Sequence, residues 1–481
     1  MQGTNRGSSE TGPHDAEEQG GWWSRPCGGR EMLGLALPLV ISTASWTVMN
    51  FTDRMFLLWF STEAMAAAMP AGMFYFAVLC FPFGVCSFVT TFVAQYRGAN
   101  RPEQIGLAVW QGVRIALWSI PLLLATCALA PWVFSLSGHD PAIAELEVTY
   151  YQVLTLGGGG VLLSVTFSSF FTGLGRTRVV MVVDAIGAAL NIALDYAWIF
   201  GRWGFPEMGI AGAALATAVS QWAQVGMYVL GMRGAELRRQ CQLSEGRRAD
   251  RKLMRRLLRY GGPNGLQMLV EVAAFAVFLL LVGRLGPEAM AATTLAFNIN
   301  SVAFVPMLGV GLAVTTMVGH QLGAKQPDRA ARAAWTGLWI AELYMGTIAV
   351  FYVATPDFFL FGHAQGTDPA VFARLRDMTV VLLRFVAAYS VFDALNVIFV
   401  GAIKGAGDTR FILLTTAILS PPPVLAAWWG ITCHGWGILW CWMVLTGWVC
   451  ALGLVYLARF LRGRWRRMTV IEPDLLGNGE P

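Results

Sequence analysis

Twelve long stretches of the chain are apolar and nearly free of charge, and the polar residues between them come in short clusters rich in Arg, Gly and Pro. The stretches lie near residues 35–60, 71–96, 106–134, 151–174, 179–200, 209–232, 262–285, 294–321, 331–355, 379–403, 411–432 and 436–458. Each is long enough as a helix to cross a hydrocarbon layer of ~30 Å, and none shows the two-residue alternation of an outer-membrane barrel strand. Inside a bilayer the helix satisfies its own backbone polar groups. The pattern therefore predicts an all-α integral membrane protein with twelve transmembrane helices.

The pattern also repeats. Val89–Gly112 (VTTFVAQYRGANRPEQIGLAVWQG) returns as Val314–Gly337 (VTTMVGHQLGAKQPDRAARAAWTG) at a constant offset of 225, with ten of 24 paired positions identical. Glu63–Ala67 falls on Glu288–Ala292, and Pro38 on Pro263, at the same offset. A repeat this regular means one half built twice. Each half holds six spans, so both start and finish on the same side. The two six-helix bundles are then related by a pseudo-twofold axis along the membrane normal, an arrangement that leaves a central cavity for alternating access. The expected organisation is a disordered tail (1–30), a first lobe (31–232), a basic linker (233–259), a second lobe (260–460) and a tail (461–481).

Composition agrees. Of 481 residues 56% are hydrophobic and 13% charged, with a mean hydropathy of +0.55. Basic residues fix the orientation, because 27 of the 34 fall at the chain ends and in alternate loops, while the opposite loops hold only Arg202, Arg284, Arg374 and Arg376. By the positive-inside rule both termini are cytoplasmic, in a cell membrane such as the bacterial inner membrane. The net charge of +5 then describes a face suited to anionic lipid headgroups and calls for no nucleic-acid partner. The eight cysteines show no metal-type spacing and suit apolar packing. Gly98, Gly323 and the Gly-rich clusters at 172–178 and 404–410 read as helix C-terminal turns, and Gly157–Gly160 and Pro421–Pro423 as kinks within helices four and eleven.

An ionised group at the bilayer centre costs on the order of 3 kcal/mol, so each intramembrane acid needs a partner, a proton or a task. Asp53 lies in the first helix. Asn191 and Asp195 sit four apart on one face of the fifth, and Thr217 offers a hydroxyl from the sixth. In the second half Glu271 lies near the middle of helix seven, and Tyr389 and Asp393 share a face of helix ten. Two carboxylates with amide and hydroxyl oxygens suit a hard monovalent cation, and the same cluster can instead share a proton. Asp184, His320 and Glu342, isolated or nearer span ends, read as structural or solvated.

From about Met32 to Arg459 the chain resembles the multidrug and toxic compound extrusion family. The features that carry the resemblance are Pro38 followed by Asp53, LNIALDYAWIFG followed by MGIAGAALAT, GGPNG with Glu271, and YSVFDALNVIFVGAIKGAGDTR. It implies two six-helix lobes and export of amphipathic, often cationic, small organic compounds in exchange for entering Na⁺ or H⁺. By motif position Asp53, Asn191, Asp195 and Thr217 resemble a first-lobe cation site. Glu271, Tyr389 and Asp393 resemble the second-lobe site of the NorM-like branch. Because this chain carries both sets, the choice of ion and lobe stays open. The expected protein is a monomer, is not an enzyme, and has no cofactor beyond the coupling ion.

Three rivals make different demands. A lipid or lipid-linked-sugar flippase of the same superfamily calls for basic residues at mid-depth, which are scarce here. A membrane-embedded transferase calls for a DxxxD or DDxxD motif at a cytoplasmic mouth, and a channel for a single-file ring; neither is visible. The sequence also holds no GxxxxGK[ST] loop for ATP. The orientation has a direct check in bacterial cells. A fluorescent protein that folds only in the cytoplasm, fused after Pro481, is expected to fluoresce, and alkaline phosphatase at the same place to stay inactive; the reverse pattern overturns the orientation.

Overall fold

A computed structural model describes residues 21–136, 138–360 and 369–472. Its twelve main helical segments are α1 (Gly29–Phe60), α2 (Thr62–Gly98), α3 (Glu103–Thr126), α4 (Pro141–Gly173), α5 (Thr177–Ile199), α6 (Gly209–Gly231), α7 (Arg251–Gly283), α8 (Pro287–Gly323), α9 (Pro327–Ala354), α10 (Pro369–Ala406), α11 (Thr409–His434) and α12 (Ile438–Leu461). Ten are long and apolar enough to cross a membrane, and α4 becomes an eleventh when its two parts are taken as one span. That helix bends by 42° between Leu156 and Gly158, where the glycine run was expected to interrupt it. The twelfth, α6, has 23 residues, but Ser220, Gln221 and Gln224 lower its hydropathy. All three are buried against neighbouring helices rather than turned to lipid. Helix three ends at Thr126, short of the expected 134, and a separate short helix, Ala130–Ser135, follows it.

The pseudo-twofold axis can be followed contact by contact. A Cβ on Gly98 would stand 1.9 Å from the His320 carbonyl oxygen and 3.0 Å from the Ala324 nitrogen. A Cβ on Gly323 would stand 2.1 Å from the Gln95 oxygen and 3.0 Å from the Ala99 nitrogen. Residues 95 and 320, like 99 and 324, are partners at the 225 offset, so α2 and α8 cross each other through equivalent backbones. Deeper in the bundle Gly84 meets Gly265 on α7, and its partner Gly309 meets Val40 on α1, with 2.4 Å and 2.7 Å left for a Cβ. Val40 and Gly265 are again partners. Neither crossing has room for a side chain.

Gly98 and Gly323 are the last helical residues of α2 and α8, as expected of helix C-terminal positions, but they are not the residues that turn the chain. The left-handed residues that end α2 and α8 are Asn100 (φ 53°) and Lys325 (φ 56°), another 225 pair; the glycines serve helix contact instead. In the other two loops the expectation holds, since Gly175 and Gly407 take φ of 67° and 93°.

Parts of the tail expected to be disordered, and of the basic linker, are built against the lobes. Of the tail 1–30, residues 1–20 lie outside the described residues. Gly21–Gly28, however, close hydrogen-bonded turns with Trp22 and Trp23 packed on Gly29, and the helix begins there. The linker folds on α3: Gly106 N donates to Cys241 O at 3.0 Å, and Trp110 Nε1 to Leu243 O at 2.7 Å. It ends at Asp250, whose carboxylate accepts from the Lys252 and Leu253 nitrogens and caps α7. After α12 the chain returns between the lobes. Gln95 Oε1 accepts from Thr469 Oγ1 and Val470 N at 2.8 Å each, while Gln95 Nε2 donates to Gly405 O at 2.9 Å. Glu472 is held by Tyr96 of α2 and Arg256 of α7. Residues 473–481 of the expected tail lie outside the described residues.

Two measurements check this frame. Gly98→Ala is expected to destabilise the solubilised protein by about 1–3 kcal/mol through overpacking; a neutral result in thermal unfolding would remove the crossing from the account. Gly34→Ala, where no atom stands within 4 Å of the new methyl, serves as the control. At the linker, burial pushes the Cys241 thiol up to about 11 against the opposing pull of Arg176 and Arg97, so it stays protonated near neutral pH. Maleimide labelling is expected to mark exposed Cys433, to spare Cys241, and to reach Cys241 once Trp110→Ala loosens the linker.

Candidate functional site

Helices α1, α4, α5 and α6 place the first-lobe candidates together. On α5, Asn191 and Asp195 face inward, both at 0% exposure. Thr217 comes from α6. With its amide oxygen toward Thr217, Asn191 donates to Asp195 Oδ2 at 3.0 Å and accepts from the Thr217 nitrogen and hydroxyl at 3.2 Å each. Asp53, from α1, accepts from the Tyr150 hydroxyl of α4 at 3.4 Å and is an electrostatic neighbour of Asp195. Asp53 Oδ1 and Asp195 Oδ1 are both buried and have no hydrogen-bond partner. Neither acid forms an ion pair with a basic side chain among the described residues; Arg54 is exposed and makes no bridge to Asp53. Two neighbouring carboxylates with buried oxygens repel each other, and a shared proton or a monovalent cation relieves that repulsion. Phe56, Tyr196 and Phe200 pack around the neighbouring turns of α1 and α5, with centroids 5.8–6.1 Å apart.

The second-lobe candidates do not form one such cluster. Tyr389 and Asp393 lie buried on α10, and Asn300 Nδ2 of α8 donates to the Tyr389 hydroxyl at 3.5 Å. Glu271 stands apart on α7. Its Oε1 accepts from Gln267 Nε2 at 2.7 Å, and the positive charge acting on it is Lys404, in the last turn of α10. Among the described residues no hydrogen bond joins Glu271 to Tyr389 or Asp393.

Tyr150 and Asn300 are additions to the candidates drawn from sequence. Tyrosine hides in an apolar run, and TYYQV offers two with no spacing to choose between them; Asn300 is a lone amide inside a span with no motif around it. His320 Nε2 lies 2.6 Å from Gly173 O and ties α8 to α4, a structural place. Asp184 accepts from Ser42 of α1 and, at 2.8 Å, from the Tyr228 hydroxyl of α6. Among the described residues no three His, Cys, Asp or Glu side chains form a group that could hold a metal ion.

The family profile described as MatE matches residues 38–197 and again 263–428, two stretches that begin 225 residues apart. The chain belongs to the MatE family. Members of this family are transporters, and this MatE chain has their two-lobed fold. The eukaryotic MATE transporter AtDTX14 superposes with a TM-score of 0.79 at 18% identity, covering 91% of this chain and 96% of that one. A transporter of the MOP superfamily from Pyrococcus furiosus, described as having a binding pocket of reversed polarity, gives 0.81 at 18%, covering 92% and 97%. An outward-facing multidrug resistance MATE transporter gives 0.80 at 19%, with the same coverage. At these identities the likeness concerns the fold, and the site rests on the residues above.

Proposed function

We propose that this MatE chain is a secondary antiporter that exports amphipathic organic cations in exchange for Na⁺ or H⁺, from a cell membrane with both termini in the cytoplasm. The reading rests on one observation: Asp53 and Asp195 are electrostatic neighbours inside the first lobe, each with a buried oxygen that nothing among the described residues satisfies. Such oxygens suit an exchangeable cation. Asn191, Thr217 and Tyr150 supply further polar groups at the same place. By contrast, neither Glu271 nor Asp393 has a buried oxygen left without a partner among the described residues, and Glu271 accepts from the Gln267 amide. The coupling ion therefore belongs to the first lobe.

On this reading an ion arriving from outside neutralises the Asp53–Asp195 pair, and the helices that carry it shift, lowering the affinity for the drug between the lobes. Each elementary charge moving inward is worth about 2.3 kcal/mol per 100 mV, enough alone to raise an export gradient roughly fiftyfold. The test is ethidium efflux from energised vesicles, driven separately by Na⁺ jumps and pH jumps. Asp53→Asn and Asp195→Asn are expected to abolish the ion-driven component, and Glu271→Gln and Asp393→Asn to leave most of it. Unchanged efflux in the first two variants would sink first-lobe coupling, and a wild-type protein indifferent to both jumps would sink antiport itself.

A further inference from the structure

Three helices of the first lobe repeat their polar residues at one spacing. On α1, Ser42 and Asp53 lie 11 residues apart; on α5, Asp184 and Asp195; on α6, Thr217 and Tyr228. Eleven residues are three helical turns, so each pair shares a face and its members stand about 16 Å apart along the axis. The registers also agree. Ser42 meets Asp184 and Asp53 neighbours Asp195 at the same offset of 142, so α1 and α5 run side by side in one direction. Helix α6 runs the other way, with Thr217 at Asn191 and Tyr228 at Asp184. A second polar station, Ser42–Asp184–Tyr228, thus lies three turns below the first, toward the basic end.

The seam between the two stations is polar as well. A Cβ on Gly187 would lie 2.0 Å from Gln224 Nε2, so the absence of a side chain there lets the Gln224 amide fill the level between Asn191 and Asp184. The Ser220 hydroxyl, beside it on α6, is fully buried and has no partner. Asp184 forms no ion pair among the described residues; the groups facing it are the Ser42 hydroxyl of α1 and the Tyr228 phenol of α6. Unlike Asp195 it is only half-buried. The station also adjoins the contact between lobes: Val40, two residues before Ser42, packs on Gly309, and Thr43 Oγ1 reaches Val305 O of α8 at 3.3 Å.

We infer that Asp184 is the inward exit station of the coupling cation: the ion leaves the Asp53–Asp195 site along the α5–α6 seam and is held at Asp184, between Ser42 and Tyr228, before release to the cytoplasm. This rests on the antiport reading above. Asp184 then governs how fast the ion leaves but not how it competes with the drug at the outer site.

The test separates these two quantities on the full chain. Ethidium binding to solubilised protein, and its displacement by Na⁺ or acid, reports the outer site; ion-jump efflux from proteoliposomes reports turnover. Asp184→Asn, which keeps the volume and can still hydrogen-bond both hydroxyls, accepting from one and donating to the other, is expected to leave binding and displacement within about twofold of wild type and to slow efflux about tenfold. Asp184→Glu is expected to recover much of the rate, and Tyr228→Phe to slow it a few-fold. Wild-type efflux in Asp184→Asn, beside impaired Asp53→Asn and Asp195→Asn, overturns the exit station and leaves the outer site standing. Loss of displacement together with efflux in Asp184→Asn also overturns it, by giving Asp184 to the outer site or to folding. Efflux that responds to neither ion jump in the wild type removes both readings at once.

Discussion

The two lobes touch where backbone meets backbone. At Gly98 and Gly323, and again at Gly84 and Gly309, the crossing helices approach closer than a methyl group would allow. In a bilayer, lipid tails are as apolar as any helix face, so association depends on close packing and interhelical hydrogen bonds, and small residues permit both. Around these crossings the chain adds polar ties: Gln95 to Gly405 and to the returning segment at Thr469–Val470, and His320 to Gly173. The symmetry of the crossings follows from the duplicated sequence, and so does their economy, since one successful contact is used twice.

The intramembrane acids break that symmetry. At the 225 offset Asp53 falls on Phe278 and Glu271 on Trp46, so neither half copies the other's acid. The first half gathers two carboxylates around Asn191, Thr217 and Tyr150; the second separates Glu271, with Gln267 and Lys404, from Asp393. A buried carboxylate with a fixed positive neighbour is compensated within the protein. Of the candidate acids, only Asp53 and Asp195 keep a buried oxygen with no hydrogen-bond partner among the described residues.

Much of this was legible in the chain itself, for physical reasons. Twelve spans were visible because the hydrocarbon layer imposes length and apolarity together, and the axis because Val89–Gly112 recurs at a constant offset. Asp53, Asn191, Asp195 and Thr217 stood out because polar groups at that depth are costly. What escaped depended on contacts between helices. Tyr150 reaches Asp53 from a helix whose rotation is set by packing of Gly157 and Gly160 on Ala218 and Gln221, which no local pattern encodes. Gly98 had the sequence of a helix-ending turn, yet the turn falls to Asn100, because tertiary packing claims the position with no side chain. Asp184 carried no distinguishing neighbour in its own helix; its partners come from Ser42 and Tyr228, 142 and 44 residues away.

Helix α1 joins the two themes. Within fourteen residues it carries Val40 at the crossing with Gly309, Ser42 at the inner station, Thr43 bonded to Val305, and Asp53 at the outer station. A rigid helix cannot change its hold on a carboxylate at one end without turning or sliding at the other, and the contact at Val40 has no slack to absorb the movement. On the antiport reading proposed above, binding at Asp53 and the angle between lobes are therefore two descriptions of one helix position. A ligand can bias such an element only by as much as it prefers one position over the other. On that same reading, the unsatisfied oxygens of Asp53 and Asp195 are the source of the preference, since their need for a partner depends on how closely α1 and α5 hold them together.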